Sequence, residues 1–221
     1  MTFTVRNATR EDAAFLAWVI LAATRSHLTR GWFDIAFELP EPALLAVIRS
    51  LVLAQTPSLW HYTHFLVATA PGDIPVAGLS AFRHGDAFPI AQAAIDEVAE
   101  ASGWPASELN AIDQRGSYIF SCLIEDSPDS WVIENVATRP EHRRRGASRA
   151  LIRRALAVGR DRGHELAVLT EFIGNERAQR VYERAGFVVN AEKRDPEFEA
   201  ITKSPGFARL IRPIGQQEDL S

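Results

Sequence analysis

Hydrophobic positions recur along the chain at two spacings, one typical of strands and the other typical of helices. Alternation over residues 3–7 predicts a first strand, and the apolar run 13–23 predicts a buried helix after it. Hydrophobic residues at helical spacing predict a second helix over 40–55. Two apolar segments, 65–70 and 76–82, flank the turn-forming sequence PGDIP and predict a hairpin-like pair of strands.

The second part of the chain alternates between strands and helices. Between residues 84 and 130 the pattern changes, and two helical segments precede an apolar run at 117–124 that fits neither spacing. The predicted elements are helices over 90–103, 105–116, 147–163 and 175–186, and strands over 131–138, 165–172, 187–194 and 207–214, the last of them at an edge of the sheet. Strands that come first and then alternate with helices indicate one mixed α/β or α+β domain over residues 1–221.

The composition disfavours several classes of protein. Apolar residues make up 47% and charged residues 24% of the 221 residues, as in a globular domain and unlike a disordered chain. The formal net charge of -4 argues against a protein that coats nucleic acid. The single Cys122 cannot form an intramolecular disulfide, the first twelve residues lack a signal-peptide pattern, and the run 13–23 is too short to cross a bilayer. We therefore expect a cytoplasmic protein that binds neither nucleic acid nor membrane.

One short stretch, RPEHRRRGASRAL at residues 139–151, concentrates arginines where a predicted strand gives way to a helix. Each cation at a helix N-terminus is disfavoured by about 0.3–1 kcal/mol, so a cluster there calls for an anion. The unpaired backbone N–H groups of a helix start and the conformational freedom of Gly146 suit a pyrophosphate. The alternative is a solvated arginine face without a ligand. The stretch contains neither a P-loop nor a dinucleotide-binding glycine motif.

Two elements of the sequence resemble motifs of the GCN5-related N-acetyltransferase (GNAT) family, whose members bind acetyl-CoA. The first is a strand followed by Arg/Gln-x-x-Gly-x-Gly/Ala; the corresponding residues here are Arg143, Arg144, Arg145, Gly146, Ala147 and Ser148, and the serine departs from the pattern. The second is Asn-x-x-Ala-x-x-x-Tyr-x-x-x-Gly-Phe, matched by Asn175, Ala178, Tyr182, Gly186 and Phe187. The resemblance is firm over about 131–190 and loose over 3–82. It does not extend to 84–130, which is expected to be a helical insertion before the cofactor-binding strand.

The resemblance implies a central mixed, mostly antiparallel sheet flanked by helices, with acetyl-CoA as co-substrate. It also implies direct transfer of the acetyl group to a primary amine; a small-molecule amine is expected, and the identity of the acceptor stays open. The residues expected to bind the cofactor are Val136, Ala137, Thr138, Arg143, Arg144, Arg145, Gly146, Ala147, Ser148, Asn175 and Tyr182. His61 and His64 have no third ligand in view, so no metal is predicted. The oligomeric state is open, with a homodimer as one option.

The implied chemistry needs a proton donor for the leaving thiolate and a base for the amine. Tyr182 lies seven residues after Asn175, so both face nearly the same side of their helix, and the resemblance assigns Tyr182 as the donor. The alternative is that Tyr182 is a core residue and Asn175 a plain N-cap. Glu134, in an otherwise apolar strand, is the first candidate for the base, and Glu171 is its rival. Either glutamate could instead pair with an arginine.

The segment 84–130 carries nine acidic residues, against Arg115 as its one cationic side chain. These acids predict either a lid that attracts an amine cation or a solvated acidic surface. Two alternatives to an acetyltransferase stay open. One is a non-catalytic acyl-CoA-binding sensor or scaffold module. The other is a nucleic-acid-binding protein that uses the arginines of the 147–163 helix, which the acidic net charge disfavours.

Overall fold

The structure is a computed structural model that describes residues 3–215. The strands are β1 (Thr4–Asn7), β2 (Phe65–Ala70), β3 (Ile74–Arg83), β4 (Trp131–Thr138), β5 (Leu166–Phe172), β6 (Val188–Arg194) and β7 (Gly206–Pro213). The helices are α1 (Ala13–Arg25), α2 (Trp32–Phe37), α3 (Glu41–Leu53), α4 (His84–Ala87), α5 (Ala91–Ser102), α6 (Ala106–Gly116), α7 (Ala147–Asp161), α8 (Glu176–Arg184) and α9 (Pro196–Thr202). In this part of the chain, no helix is long and apolar enough to span a membrane.

The seven strands of residues 3–215 form one sheet in the order β1-β2-β3-β4-β5-β7-β6. Among these described strands, every neighbouring pair is antiparallel except β4 and β5. Parallel neighbours cannot be joined by a tight turn, and α7 supplies the crossover between them. The prediction of a mixed, mostly antiparallel sheet flanked by helices is confirmed.

Neighbouring residues of the central strands enter two different hydrophobic cores. Val132 and Val168 pack with side chains of α1, α2, α3, α5 and α6, whereas Trp131, Ile133 and Leu169 pack with those of α7 and α8. Because successive side chains of a strand point to opposite faces, the two cores lie on opposite sides of the sheet. We call these sides the α1 face and the α7 face.

The last strand does not occupy the position that the sequence predicts. The segment 207–214 was expected at an edge, but β7 pairs with β5 on one side and with β6 on the other. The strand at this edge of the described sheet is β6, which is largely exposed, and β1 lies at the other edge. The edge prediction assumed that the last strand of the chain is also the last strand of the sheet. It was wrong because strands that are consecutive in the chain are not always neighbours in the sheet. The hydrophobic alternation of a strand records its faces and not its partners.

Three short helices, α2, α4 and α9, are absent from the sequence prediction. Each has fewer than eight residues, too few turns to show a helical spacing of hydrophobic positions. Local polar contacts support two of them. The Asp195 carboxylate accepts a hydrogen bond from the backbone N–H of Phe198 at the start of α9, and the Asp34 carboxylate accepts one from that of Gly31 at the start of α2. A cap can therefore define a helix that hydrophobic spacing does not reveal.

The segment 84–130 packs against the α1 face of the sheet. Ile95, Val98 and Ile112 are buried there with side chains of α1 and α3. The apolar run 117–124, which fits neither spacing in the sequence, includes the 3-10 helix Ser117–Ser121. This segment therefore contributes to the core that supports the sheet, whatever else it does.

Candidate cofactor-binding and catalytic site

The sheet opens between its two parallel strands. Within the described chain, β4 and β5 pair at two positions near their starts, Trp131↔Ala167 and Val132↔Val168. Beyond these pairs β4 continues to Thr138 and remains bonded to β3 on its other side. Its second edge faces a gap. The predicted cofactor-binding residues at 136–138 lie on this part of β4.

A β-bulge in β4 explains the opening. Between the register pairs Ser80↔Glu134 and Gly78↔Ala137, β4 has one more residue than β3. Asn135 lies in this bulge with a φ of 53°, and its side-chain amide donates a hydrogen bond to Ser80 Oγ at 3.0 Å. Because a bulge bends its strand and increases the local twist, β4 diverges from β5 after their first two pairs.

The arginine-rich loop, residues 139–146, follows β4 and ends at the start of α7. Gly146 is the N-cap of α7 with a φ of 90°, and a Cβ at this position would meet no described atom within 4 Å. The first amides of an α-helix have no acceptor within the helix, so those of α7 can bind an acceptor outside it. Ser148 Oγ lies 2.9 Å from Thr138 Oγ1, and Arg143 Nε donates to the Thr138 carbonyl at 3.2 Å. The helix start therefore has the geometry of an anion site.

A solvent-open cleft of about 610 Å³ adjoins this loop. Among the described residues, the charged side chains that line it are Glu141, Arg143, Arg144, Arg145, Arg177 and Arg180. The last two come from α8 and are missing from the residues predicted from the sequence. Their spacing of three puts both on one helix face, which is visible in the sequence. Only the fold shows that this face of α8 lies opposite the loop.

Asn175 connects α8 to the loop that follows α1. Its Oδ1 accepts a hydrogen bond from the backbone N–H of Ala178 at 3.2 Å, so Asn175 caps α8. Its Nδ2 donates to Ser26 Oγ at 2.8 Å. Both polar atoms of the side chain therefore have protein partners, and direct contact between Asn175 and the cofactor stays a prediction.

Tyr182 is buried in the core on the α7 face of the sheet. Its ring packs edge-on against Phe187, with 6.4 Å between the ring centroids, and 9% of the residue is exposed. Burial raises the pKa of the phenol, and nearby Glu171 raises it further. A phenol that keeps its proton through the neutral range can serve as a proton donor to a ligand.

Glu134 lies on the α1 face, immediately before the bulge. Burial raises the pKa of its carboxyl to about 7, and the nearby Asp126 carboxylate contributes to the shift. Asp126 itself pairs with Arg209 at 3.2 Å. Glu134 forms no ion pair with any residue that the structure describes, so its pairing with an arginine is not observed. A carboxyl with a pKa near 7 can accept and release a proton at neutral pH.

Glu171 lies on the opposite face of the sheet, with Tyr182. It is 8% exposed, and its Oε2 has no hydrogen-bond partner among the described residues. Burial raises the pKa of this carboxyl to about 8, with a smaller contribution from Glu183. The structure thus separates the two candidate bases, with Glu134 beside the bulge in β4 and Glu171 on the same face as the candidate donor.

His61 and His64 each have a hydrogen-bond partner nearby in the chain. His61 Nδ1 lies 2.7 Å from Thr63 Oγ1, and His64 Nε2 lies 3.0 Å from the Pro57 carbonyl oxygen. No group of three or more His, Cys, Asp or Glu side chains that could hold a metal ion occurs in the part of the chain that the structure describes.

This chain is similar to a known protein family and to several solved structures. The model of the acetyltransferase (GNAT) family matches residues 60–187, which is more than half of the chain. A comparison with curated protein sequences finds no match.

Solved structures share the fold at low sequence identity. An N-acetyltransferase from Staphylococcus aureus Mu50 is 20% identical, with a TM-score of 0.69 over 95% of this chain and 100% of its own. A second acetyltransferase is 17% identical, with a TM-score of 0.69 over 96% of this chain and 99% of its own. A Salmonella typhimurium protein whose structure includes its cofactor acetyl-CoA is 15% identical, with a TM-score of 0.54 over 100% and 99% of the two chains. These similarities concern the fold.

Proposed function

The chain belongs to the acetyltransferase (GNAT) family, and on this premise we propose that it transfers an acetyl group from acetyl-CoA directly to the primary amine of an acceptor. The observation that carries the proposal is the gap between β4 and β5, which leads to the anion site at the start of α7. An acyl-CoA needs this combination, because its arm contains amides that can pair with a strand edge and its other end carries phosphates.

The residues proposed to hold acetyl-CoA lie along the gap between β4 and β5 and at the start of α7. The edge of β4 over 136–138 can pair with the amides of the pantetheine arm, as an added strand would. Arg143, Arg145 and the backbone N–H groups of residues 146–148 can bind the pyrophosphate. The open space at Gly146 allows a phosphate to approach the main chain. When bound, acetyl-CoA supplies an acetyl group activated as a thioester.

Glu134 is the proposed base. A lysine-like amine with a pKa of about 10.4 is neutral in about one molecule in 2,500 at pH 7, so reaching the nucleophilic form costs roughly 4–5 kcal/mol. Because burial and Asp126 hold the pKa of Glu134 at about 7, a large share of this carboxyl is ionised at neutral pH. It can then take a proton from the amine. Because Arg209 pairs with Asp126, the ionised form of Glu134 is the carboxylate on this face that would favour an ammonium group over an anionic acceptor.

Tyr182 is the proposed donor to the departing sulfur. Burial raises the pKa of its phenol, which keeps the proton in place through the neutral range. The hydroxyl donates this proton to the thiolate as the carbon–sulfur bond breaks, while the amine proton passes to Glu134. Exchange of both side chains with solvent restores their starting protonation states.

The proposed function is tested by incubating the purified protein with acetyl-CoA and a panel of primary amines that includes small amines, polyamines and peptides. Release of the CoA thiol and the mass of the acetylated amine are measured together. We expect equal amounts of the two products with at least one amine. Acetyl-CoA binding without release across the panel would favour the non-catalytic sensor or scaffold module. Absence of binding would contradict both readings.

A further inference from the structure

The cleft beside the arginine-rich loop has cationic side chains from two separate elements, the loop and α8. Among the described residues, five arginines line it, with Glu141 as the one acidic side chain. Arg180 also pairs with Glu176 at 3.0 Å, and both of these side chains are exposed. A pyrophosphate diester carries two negative charges, whereas a phosphomonoester adds about 1.5 to 2 at neutral pH. CoA carries both kinds of group, and the cations of the cleft are divided between two walls.

The two walls of the cleft offer different kinds of donor. The loop wall combines arginines with the backbone N–H groups at the start of α7. The α8 wall offers the guanidinium groups of Arg177 and Arg180. Fixed backbone amides suit a diester that lies along the main chain, whereas guanidinium groups bind a terminal phosphate in a bidentate manner through its unesterified oxygens.

We propose that Arg177 and Arg180 bind the 3′-phosphate on the ribose of CoA and make the site selective for CoA over 3′-dephospho-CoA. This inference rests on the proposed function, because it takes the pyrophosphate of the same ligand to lie against α7. The two arginines are three residues apart, so their guanidinium groups extend from one face of α8 toward the loop.

Arg184 provides a matched control on the same helix. It lies one turn beyond Arg180, it is also exposed, and it does not line the cleft. The test compares the wild type with the double variant Arg177→Gln/Arg180→Gln and with Arg184→Gln. Calorimetry gives the Kd of CoA and of 3′-dephospho-CoA for each protein at one fixed ionic strength, because salt screens these contacts. Thermal unfolding confirms that all three proteins are folded.

The wild type should bind CoA at least about 10-fold more tightly than 3′-dephospho-CoA, which corresponds to one charge-assisted hydrogen bond. In the double variant this preference should fall below about threefold, because CoA binding weakens while 3′-dephospho-CoA binding stays near the wild-type value. Arg184→Gln should keep the wild-type preference.

Two results would overturn the inference. One is a wild-type protein that binds both ligands equally. The other is a double variant that weakens both ligands by the same factor, which would assign the arginines to the pyrophosphate or to general attraction. If the wild type binds neither ligand, the proposed function itself fails and the inference fails with it. If the wild type binds CoA and 3′-dephospho-CoA with equal affinity, the inference is wrong and the proposed function is unaffected.

Discussion

Two regions of the chain gather charges of one sign, the arginine-rich loop around Gly146 and the acidic segment 84–130. The loop leads into α7, which covers one face of the sheet, and the acidic segment packs on the other face. The arginines of the loop line an open cleft. Most of the acidic side chains of the segment are bonded within the protein. The same kind of charge pattern therefore lines an open cleft in one region and is largely used in internal contacts in the other.

The acidic segment shows how charge is used inside the fold. Glu97 accepts hydrogen bonds from the backbone N–H groups of Gln55 and Thr56, at 2.6 and 2.9 Å, and so holds the chain just after α3. Other acids of the segment form ion pairs: Asp86 and Asp129 with Arg83, Glu108 with Arg115, and Asp126 with Arg209. These pairs reduce the net charge that an acidic lid could present to an amine, and the lid stays a hypothesis.

The largest effect is expected at the centre of the arginine-rich loop, where Gly146→Val should abolish CoA binding. Valine at a φ of 90° is strained by roughly 1–3 kcal/mol, and its branches would occupy the open space proposed for phosphate. Gly163→Val is the matched control, since Gly163 has a φ of 85° and equally open surroundings at the far end of α7. It should lose similar stability in thermal unfolding and keep CoA affinity in calorimetry. Normal CoA binding by Gly146→Val would place the site elsewhere.

The next largest effect is expected at Tyr182 on the α7 face, where a substitution should lower the catalytic rate without weakening CoA binding. Tyr182→Phe keeps the ring packing and removes the phenolic proton, so kcat should fall by roughly 10²–10⁴-fold. CoA affinity and Tm should barely change. A core role would give the opposite result, with kcat nearly intact and a stability loss of about 0.5–1.5 kcal/mol. Steady-state kinetics and a melting curve on one variant distinguish the two.

The third effect concerns Glu134 on the α1 face and the pH dependence of the reaction. Since the pKa of Glu134 is raised to about 7, this carboxyl is protonated below that pH and cannot accept a proton, so kcat/KM should rise with pH through about 7. Glu134→Gln should lower kcat/KM by about 10²-fold at pH 7.5 and remove this inflection. The defect should shrink above pH 10, where the amine is neutral without a base. An inflection that persists in the variant would assign the base to another group.

Glu171 is an acid on the α7 face that lacks the internal partners of the acidic segment. Its folded-state pKa of about 8 lies above the ordinary value of 4.5, so folding favours the protonated form. Its favourable contribution is complete below pH 4.5 and is lost as the pH rises through 8. Glu171→Gln should therefore match the wild type near pH 4.5 and exceed its free energy of unfolding by a few kcal/mol, on the order of 2–4, near pH 8. Denaturant titrations at the two pH values check this, and parallel curves would contradict it.

The smallest effect tests the structural use of charge in the acidic segment. Glu97→Gln should lower the free energy of unfolding by about 1–2 kcal/mol, because one of the two backbone donors after α3 loses its acceptor. Glu100→Gln, at an exposed position of the same helix, should stay within about 0.5 kcal/mol of the wild type. Equal values for the two variants would remove the structural role of Glu97.

The acidic lid can be tested without disturbing the structural contacts of the same segment. Asp96 and Glu100 are exposed, so both can be neutralised while Glu97 keeps its backbone contacts. If the lid hypothesis is right, KM for a cationic amine should rise severalfold and the increase should diminish with added salt. An unchanged KM would leave the segment as a solvated surface that helps to build the core.

The sequence by itself determined the features that depend on contiguous residues. Hydrophobic spacing predicted the longer helices and all seven strands, because a period of two or of 3.6 is recorded in neighbouring positions. The candidate anion site was predicted from the same kind of information, since a strand, a glycine and a helix start follow one another along the chain. The short helices α2, α4 and α9 were missed because they are too short to show a period.

The tertiary structure decided everything that depends on which distant residues become neighbours. It placed β7 between β5 and β6, opened the sheet between β4 and β5, and turned Arg177 and Arg180 of α8 toward the loop. It also put Glu134 and Glu171 on opposite faces and partly removed both from water, which raised the pKa of each carboxyl. Strand pairing and desolvation are set by contacts across the whole fold, and a side chain carries no local record of its eventual partner.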